Sequence, residues 1–128
     1  MTDLLQQGSA FLEDQRHKHL TRPVTYLRGS DSVHAQATVG RTVFEQQDQF
    51  GAVQRTETRD YLVRTEDLIL GGERALPRAG DRVREPGGTA ALLYEVMSIG
   101  SEPPFRFSDP DRRTLRIHTT FIGPEATP

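Results

Sequence analysis

The spacing of apolar residues changes near Pro23, from a helical period to a strand period. Before Pro23, the apolar positions and the glycine and glutamine between them recur at intervals of three and four, which places them on one face of a helix. These positions are Leu4, Leu5, Gly8, Phe11, Leu12 and Gln15. Pro23 disfavours helical angles at the residue before it. We therefore predict an N-terminal helical segment over residues 1–22.

After Pro23, apolar and polar residues alternate with a period of two, which is typical of half-buried β-strands. The clearest strands are predicted at 24–28, 33–39, 58–64, 90–97 and 114–122. Turn-forming residues separate them, and no helical period lies between them. The pattern over residues 23–123 therefore predicts a mainly β domain, either a small antiparallel β-barrel or a sandwich, with long loops. Residues 124–128 are expected to form a frayed tail.

Two long connections interrupt this pattern. Residues 43–57 contain the turn-forming run Gln46–Gly51 and little core material, so we predict a projecting loop. The connection 102–111 contains Pro103, Pro104 and Pro110, which cannot donate to a sheet ladder. The alternation within its Phe-Arg-Phe motif predicts that the two rings point to one side and the guanidinium to the other. This arrangement favours an anchored loop or a subunit contact.

Composition narrows the class of protein. The 128 residues suit one domain with a lean core, since only 34% are hydrophobic. No apolar run is long enough for a membrane span, and the N-terminus lacks the basic and apolar regions of a signal peptide. We expect a soluble protein that is not exported. Without cysteine it has no disulfide and no thiolate zinc site.

The charge pattern argues against tight binding of nucleic acid through its phosphates. The formal net charge is −2, and the basic residues, all arginine except Lys18, are scattered among Asp and Glu. Proteins that bind phosphates tightly usually carry a basic excess or stripe. Stacking of nucleobases by Phe105 and Phe107 is disfavoured for the same reason.

Candidate chemistry is sparse. The common nucleophile, phosphate-loop, dinucleotide and zinc-protease motifs are missing from the sequence. Glu13 and His17 lie one helical turn apart, but no third ligand is identifiable, so we expect neither a metal nor a cofactor. His34 and His118 are predicted to meet across strands as outward neighbours, an arrangement more typical of surface residues than of an acid–base pair.

The motifs follow one order along the chain: a short strand, a longer strand, a loop rich in Gly, Arg, Phe and Gln, an arginine-containing strand, a turn before a short strand, and two further strands. They read V-T-Y-L-R at 24–28, the strand 33–39, G-R-T-V-F-E-Q-Q at 40–47, R-D-Y-L-V-R at 59–64, G-D-R-V at 80–83, Y-E-V-M at 94–97 and T-L-R-I-H at 114–118. In this order the chain resembles the head-closure (stopper, or head-tail joining) proteins of long-tailed bacteriophages. The N-terminal helix and the connection 102–111 exceed that family's minimal pattern.

The resemblance implies a structural protein of the virion neck, assembled in the host cytoplasm, with no enzymatic activity and no membrane contact. It implies a homo-oligomeric ring, commonly a hexamer, beneath the portal or its adaptor. That ring closes the DNA-filled head and offers a platform to the tail terminator or tail tube protein. Double-stranded DNA would lie close by in the channel without being held specifically, which suits the near-neutral charge.

The same correspondence assigns a role to one loop of the chain. The loop 43–57 would face the channel and block or gate the DNA. Its candidate residues are Phe44, Glu45, Gln46, Gln47, Asp48, Gln49 and Phe50. The candidates for contact with partner proteins do not come from the resemblance; they are the apolar residues of the predicted helix and the Phe-Arg-Phe motif, namely Leu4, Leu5, Phe11, Leu12, Phe105, Arg106 and Phe107. An ordinary mobile hairpin tip is the plainer interpretation of the loop.

Two alternative functions stay open. A tail terminator or another neck ring would also be a small β or mixed protein, whereas an adaptor would be mainly helical. A ligand-binding or catalytic β-barrel would need His34, His118, Tyr94 and Glu95 to line one cavity. A deep pocket with convergent titratable groups would favour the latter, and a ring with an axial channel would favour head closure.

Overall fold

The computed structural model describes residues 21–125. The predicted N-terminal helix, with its candidate contact residues Leu4, Leu5, Phe11 and Leu12, lies outside the described residues. Between residues 21 and 125 the chain is mainly β, as the alternation predicts, and its one helical element is a single 3-10 turn at Thr65–Asp67. No helix in this range is long and apolar enough to cross a membrane.

The strands follow the predicted order. They are β1 (Arg22–Arg28), β2 (Asp31–Gln47), β3 (Val53–Arg64), β4 (Ile69–Leu70), β5 (Glu73–Arg74), β6 (Arg82–Glu85), β7 (Ala91–Val96), β8 (Phe105–Phe107) and β9 (Thr114–Glu125). Gly29, with a φ of 59°, supplies the left-handed conformation in the tight connection from β1 to β2. The predicted strand at 90–97 is confirmed as an interior strand, because β7 pairs with β6 and with β9.

Antiparallel pairing joins these strands into one main sheet. Seven strands follow the order β3-β2-β1-β6-β7-β9-β8, and β3 also pairs with β9. The pairings therefore run from β1 through β2, β3, β9, β7 and β6 and return to β1. Strands β4 and β5 form a separate small sheet.

The core lies on the inner side of this ring of paired strands. It is built from the apolar positions of the alternating pattern, for example Val24 and Tyr26 on β1 and Ala35 and Ala37 on β2. The remaining core residues are Tyr61, Val63, Leu68, Leu70, Val83, Tyr94, Val96, Leu115 and Ile117. Burial of this apolar surface is the main force that holds the small domain together.

A charged turn precedes β6. The predicted turn before a short strand is confirmed: Gly80 has a φ of 96°, and β6 begins at Arg82. The carboxylate of Asp81 accepts hydrogen bonds from the Tyr26 hydroxyl and, at 2.8 Å, from the Arg28 guanidinium. Burial would raise the pKa of Asp81, but these hydrogen bonds outweigh burial and lower it. The turn is thereby tied to β1.

The structure corrects three predicted boundaries. The predicted loop 43–57 is wrong, because β2 continues to Gln47 and β3 begins at Val53. The proline-containing connection holds a short strand, β8, paired with β9. Strand β9 continues past the predicted end, with Pro124 opposite Leu92, so the first residues of the predicted tail are part of the sheet.

Candidate functional site

The segment that the sequence marks as a projecting loop is a two-stranded ribbon, which we define as residues 43–57. Val43 to Gln47 pair with Glu57 to Val53 in continuous antiparallel register. On its other edge β3 pairs with β9 only from Arg59 onward, so the described strands include no second neighbour for the ribbon. The ribbon therefore extends from the body as a hairpin held by its own ladder.

The ribbon ends in an ordered turn. The side chain of Asp48 accepts hydrogen bonds from the backbone N–H groups of Phe50 (2.8 Å) and Ala52 (2.9 Å). The Asp48 N–H donates to the Ala52 carbonyl at 2.9 Å, and Gly51 adopts a φ of 82°. Asp and Gly favour such turns for these reasons. The Phe50 side chain at this tip is 85% exposed.

The two faces of the ribbon have different surroundings. One face carries Val43 and Val53, both exposed, and the pair Glu45–Arg55, whose charged atoms are 3.9 Å apart. On the other face, the Phe44 ring packs edge-on against His118, with 5.2 Å between ring centroids. Gln46, also on that face, lies against Gly100, where an added Cβ would collide with its amide. Within residues 21–125, the ribbon thus packs against the body through the face that carries Phe44 and Gln46.

A buried polar cluster lies beneath the root of the ribbon, which we define as Thr42, Thr58, Asp60, Arg116 and His118. The Asp60 carboxylate is fully buried and accepts hydrogen bonds from the Thr42 hydroxyl and from Arg116 Nη1 at 2.6 Å. Its other oxygen contacts the Thr58 hydroxyl at 2.7 Å and His118 Nδ1 at 2.9 Å. Every member of the root cluster thus meets the same carboxylate.

The electrostatics of the root cluster favour an ionised carboxylate. Burial, the largest single influence, would raise the pKa of Asp60. Hydrogen bonds from His118, Thr42, Thr58 and Arg116 together outweigh burial and lower the pKa to about 2. Because the cluster joins β2, β3 and β9, this charged contact fixes the direction in which the ribbon leaves the body.

A second feature, an open groove, lies where β3 separates from β9. We call it the mouth; it encloses about 560 Å³ and is lined by residues of β2, β3, β7 and β9. These residues are Val39, Gly40, Arg41, Glu57, Thr58, Arg59, Tyr94, Thr119, Thr120 and Phe121. Phe121 rests on Tyr94 with 5.3 Å between ring centroids, and its side chain is 55% exposed.

The polar groups beside the mouth pair with one another. Glu85 is buried and accepts hydrogen bonds from Arg22 Nη1 at 2.8 Å, Arg59 Nη2 at 2.8 Å and the Tyr61 hydroxyl at 3.0 Å. Burial would raise the pKa of Glu85, and these donors lower it. Burial raises the pKa of the Tyr61 phenol. Glu85 is held as an ion-pair acceptor, so it lacks the raised pKa of a general acid.

The structure places the channel-loop candidates along one continuous element. Phe44 and Gln46 contact the body, Glu45 and Gln47 lie on the opposite face, and Asp48 shapes the turn. Gln49 and Phe50 are exposed at the tip.

The Phe-Arg-Phe motif is ordered as its alternation predicts. Phe105 and Phe107 are half-buried against the core, with 5.9 Å between their ring centroids, while Arg106 is exposed. Arg112, at a φ of 56°, places its guanidinium 5.4 Å from the centroid of Phe107. The two rings therefore anchor β8 within the subunit. Arg106 is the member of the motif that is left open to a partner.

The residues of the catalytic alternative do not line one cavity. The predicted meeting of His34 and His118 is wrong: His34 is exposed opposite Thr25, whereas His118 is buried against Asp60. Tyr94 belongs to the core and lines the mouth, on the other side of the sheet from His118. Between residues 21 and 125, no group of three or more His, Asp or Glu residues is placed to hold a metal ion. The pair Glu13 and His17 lies outside that range.

Reasoning from sequence missed the root cluster. Asp60 is separated by 56 residues from Arg116 and by 58 from His118, so no local motif joins them. The one local signal is that Thr58 and Asp60 occupy the polar positions of an alternating strand, which also describes any exposed sheet face.

A family model described as "Phage head-tail joining protein" matches residues 2–126, almost the whole chain. A search of curated proteins finds no match.

Proposed function

This chain belongs to the phage head-tail joining protein family, and from that premise we propose that it forms the head-closure ring of a tailed phage. Membership makes it a structural part of the head-tail connector, located in the virion neck in association with other head and tail proteins. Our proposal adds a hexameric ring that binds the portal or its adaptor above and the tail terminator or tail tube below. In this ring the ribbon 43–57 faces the channel and retains the packaged DNA.

The ribbon with its fixed root is the observation that supports this role. A barrier across a channel must project from the subunit and resist the pressure of the DNA behind it. The backbone ladder from Val43 to Glu57 supplies the projection, and the buried carboxylate of Asp60 fixes the root. A flexible loop of the same length would yield to the DNA at little energetic cost.

The charges on the ribbon suit a barrier to DNA better than a site that binds DNA tightly. Glu45, Asp48 and Glu57 outnumber the single cation Arg55. Brought together around an axis, such ribbons repel phosphates and hold no duplex, so the DNA passes once the ribbons move aside. Phe50, exposed at each tip, provides an apolar contact between neighbouring tips in the closed ring.

The body suits a ring subunit. The cyclic strand pairing supports its description as a small closed β-barrel, which offers few free strand edges for unwanted association. We assign it no reaction, because between residues 21 and 125 the buried carboxylates Asp60, Asp81 and Glu85 are engaged in ion pairs and the exposed His34 lies apart from the buried His118. Assembly in the host cytoplasm is part of the proposal.

The test shortens the ribbon symmetrically. Replacing residues 46–54 by Asn-Gly joins Glu45 to Arg55 through a two-residue turn and leaves Phe44 and the root cluster in place. We expect the variant ring to assemble on filled heads but to let DNA escape, measured as loss of nuclease-protected DNA. The exposed substitution Gln49→Ser keeps the ribbon length and should retain DNA. Full retention by heads that carry the shortened ring would refute the barrier role.

A second assay separates the ring positions. The purified protein is mixed in separate reactions with filled heads that lack it and with isolated tails of the same phage. Head closure requires binding to the heads. Binding to the tails alone would identify the protein as a tail terminator.

A further inference from the structure

The two strands beside the mouth separate from each other and leave two strand edges next to it. The ladder between β3 and β9 runs from Arg64 opposite Thr114 to Arg59 opposite Thr119 and then stops. Beyond that point β3 continues into the ribbon with β2 on its other edge, and β9 continues to Glu125 with β7 on its other edge. Among residues 21–125, each strand therefore has one edge without a ladder partner at the mouth.

These two edges differ in their side chains. The ribbon side carries Arg55 and Glu57, and charges on an edge discourage unwanted strand pairing. Residues 120–123 of β9, which we call the open edge, include no charged residue. Two of them are apolar and exposed, Phe121 by 55% and Ile122 by 42%. The open edge thus lacks the protection that natural sheets give to edges that stay unpaired.

An aromatic surface lies beside the open edge. Tyr94 and Phe121 contact each other with 5.3 Å between ring centroids, and both line the mouth together with Val39. Alternate side chains of a strand point to the same face of a sheet. A strand added at the open edge would therefore place every second side chain beside Phe121.

Backbone hydrogen bonding favours an extended occupant over a helix. The N–H and C=O groups of an unpaired edge are strong donors and acceptors, and an extended chain satisfies them by continuing the ladder. A helix satisfies its own backbone groups internally and would leave the edge unpaired. The volume of the mouth, about 560 Å³, is within the range of ligand-binding clefts and suits a short segment.

The charges around the mouth leave a small positive excess. They comprise three guanidinium groups and two carboxylates, which belong to Arg22, Arg41, Arg59, Glu57 and Glu85. Arg22 and Arg59 both contact the buried Glu85. The Arg41 side chain is 75% exposed, and its contact with the exposed Glu57 is long, at 3.4 Å. An acidic side chain of the occupant beside Arg41 would balance the excess.

A second copy of this chain has no suitable segment to donate from residues 21–125. The strands in this range are already paired in the two sheets. The connections longer than five residues all contain proline, which cannot donate to a ladder; they are 75–81, 97–104 and 108–113. The occupant is therefore expected from another protein, and a head-tail joining protein associates with other phage head and tail proteins.

We propose that the mouth binds an extended segment of another protein of the phage neck, which adds a strand at the open edge of β9. The segment carries apolar side chains at alternate positions, which lie beside Phe121, and an acidic residue that pairs with Arg41. The origin of the segment rests on the proposed function, since a position in the neck supplies the neighbours. The site itself rests on the strand edges of the body.

The test uses capped ten-residue peptides that together cover the portal, adaptor, tail terminator and tail tube proteins of the same phage. Each labelled peptide is titrated with the full-length protein and followed by fluorescence anisotropy. Peptides that cover this chain are included as probes for a second copy. We expect binding by a peptide from one of the four proteins. No binding by any of them, or tightest binding by a peptide of this chain, would overturn the proposal.

Substitutions in the protein locate the site. Phe121→Asp should weaken binding of the peptide about tenfold or more, whereas Leu76→Asp should change it less than about twofold. Leu76 is a matched control because it is similarly exposed and does not line the mouth. Equal effects of these two variants would place the peptide elsewhere and refute the site.

A charge exchange tests the same site without changing its apolar surface. Arg41→Glu should weaken binding, and replacing the acidic residue of the peptide by lysine should restore it. Failure of the lysine peptide to bind the Arg41→Glu variant better than the original peptide does would contradict the pairing with Arg41.

Methylation of backbone nitrogens in the peptide tests the added strand. Alternate N–H groups of a strand point to opposite edges, so methylation of one alternate set should weaken binding about tenfold or more, whereas methylation of the other set should be tolerated. Equal effects of the two sets would show that the peptide binds without joining the sheet.

These outcomes are separate from those of head closure. Shortening the ribbon leaves Phe121 and the open edge unchanged, so DNA leakage and peptide binding are measured independently. Full DNA retention by the shortened ring would refute the barrier and leave the peptide site standing. Absence of peptide binding would refute the site and leave the barrier standing.

Discussion

Phe44 and Phe50 place the same side chain at the two ends of one ribbon, in opposite environments. At the root, Phe44 is half-buried against His118, which is bound to the ionised Asp60. At the tip, the Phe50 ring is 85% exposed, and the one hydrogen bond of this residue within the described range 21–125 is from its backbone N–H to the Asp48 side chain. The root is thus built for stability, whereas the tip contributes contacts that become useful only in an assembly.

The largest expected effect on stability comes from removing the Asp60 carboxylate at the centre of the root cluster. Asp60→Ala leaves Arg116 and His118 beside an empty buried position, and breaking a buried ion pair destabilises by about 3–5 kcal/mol. Urea unfolding should show this loss. Asp111→Ala, at an exposed carboxylate, should change stability by less than about 0.5 kcal/mol. Similar stabilities for the two variants would contradict the role of the root cluster.

The same carboxylate predicts acid sensitivity. The pKa of Asp60 is lowered in the folded state, from 3.8 to about 2, so its contribution is present above pH 3.8 and is lost as the pH falls towards 2. A shift of this size corresponds to about 2 kcal/mol. Asp81 and Glu85 also have lowered pKa values and add to the effect in the same direction.

The contribution of Asp60 is isolated by difference. Unfolding free energies of the protein and of Asp60→Asn, measured between pH 6 and about 2, should converge as the pH falls, because Asn does not titrate. Parallel curves would show that the carboxylate at position 60 is not held in its charged form.

The structure also shows where the alternating pattern carries information. It predicts the core strands well, because one face of each is buried and the other is not. It fails for the ribbon, since neither face of Glu45–Gln47 or Val53–Arg55 enters the core and the polar residues therefore resemble a loop. Alternation of apolar and polar residues indicates which face of a strand is buried. A hairpin that projects from the body buries little of either face, so the alternation does not mark it as a pair of strands.

The same reasoning explains the errors on β9. Alternation correctly places Phe121 on the face that carries Leu115 and Ile117, yet its side chain is exposed because β3 has separated from β9 at that level. His118 is on the outward face as predicted, but the ribbon root covers that face. In both cases burial depends on a distant strand, which neighbouring residues in sequence do not specify.

A smaller effect on stability should follow truncation of the root aromatic. Phe44→Ala removes the ring that packs on His118. Because Phe44 is only half-buried, we expect a loss of about 1–2 kcal/mol in urea unfolding, below the 3–5 kcal/mol usual for core phenylalanines. If Phe44→Ala changes the free energy of unfolding no more than Phe50→Ala at the tip does, the ribbon does not pack against the body through Phe44.

The smallest expected effect on stability is at the tip. Phe50→Ala removes an exposed ring with no described side-chain partner among residues 21–125, so the free energy of unfolding should change by less than about 0.5 kcal/mol. The contact proposed between neighbouring tips should weaken, which nuclease-protected DNA in filled heads would report as partial leakage. Normal retention would show that Phe50 has no part in the barrier.

The position of the ribbon in the assembled connector tests the account most directly. An electron cryomicroscopy map of the filled head with this ring attached should show residues 43–57 of every subunit directed into the channel, with the Phe50 tips close to its axis. A ring whose ribbons lie on its outer wall, with an unobstructed channel at their level, would contradict the proposed head closure.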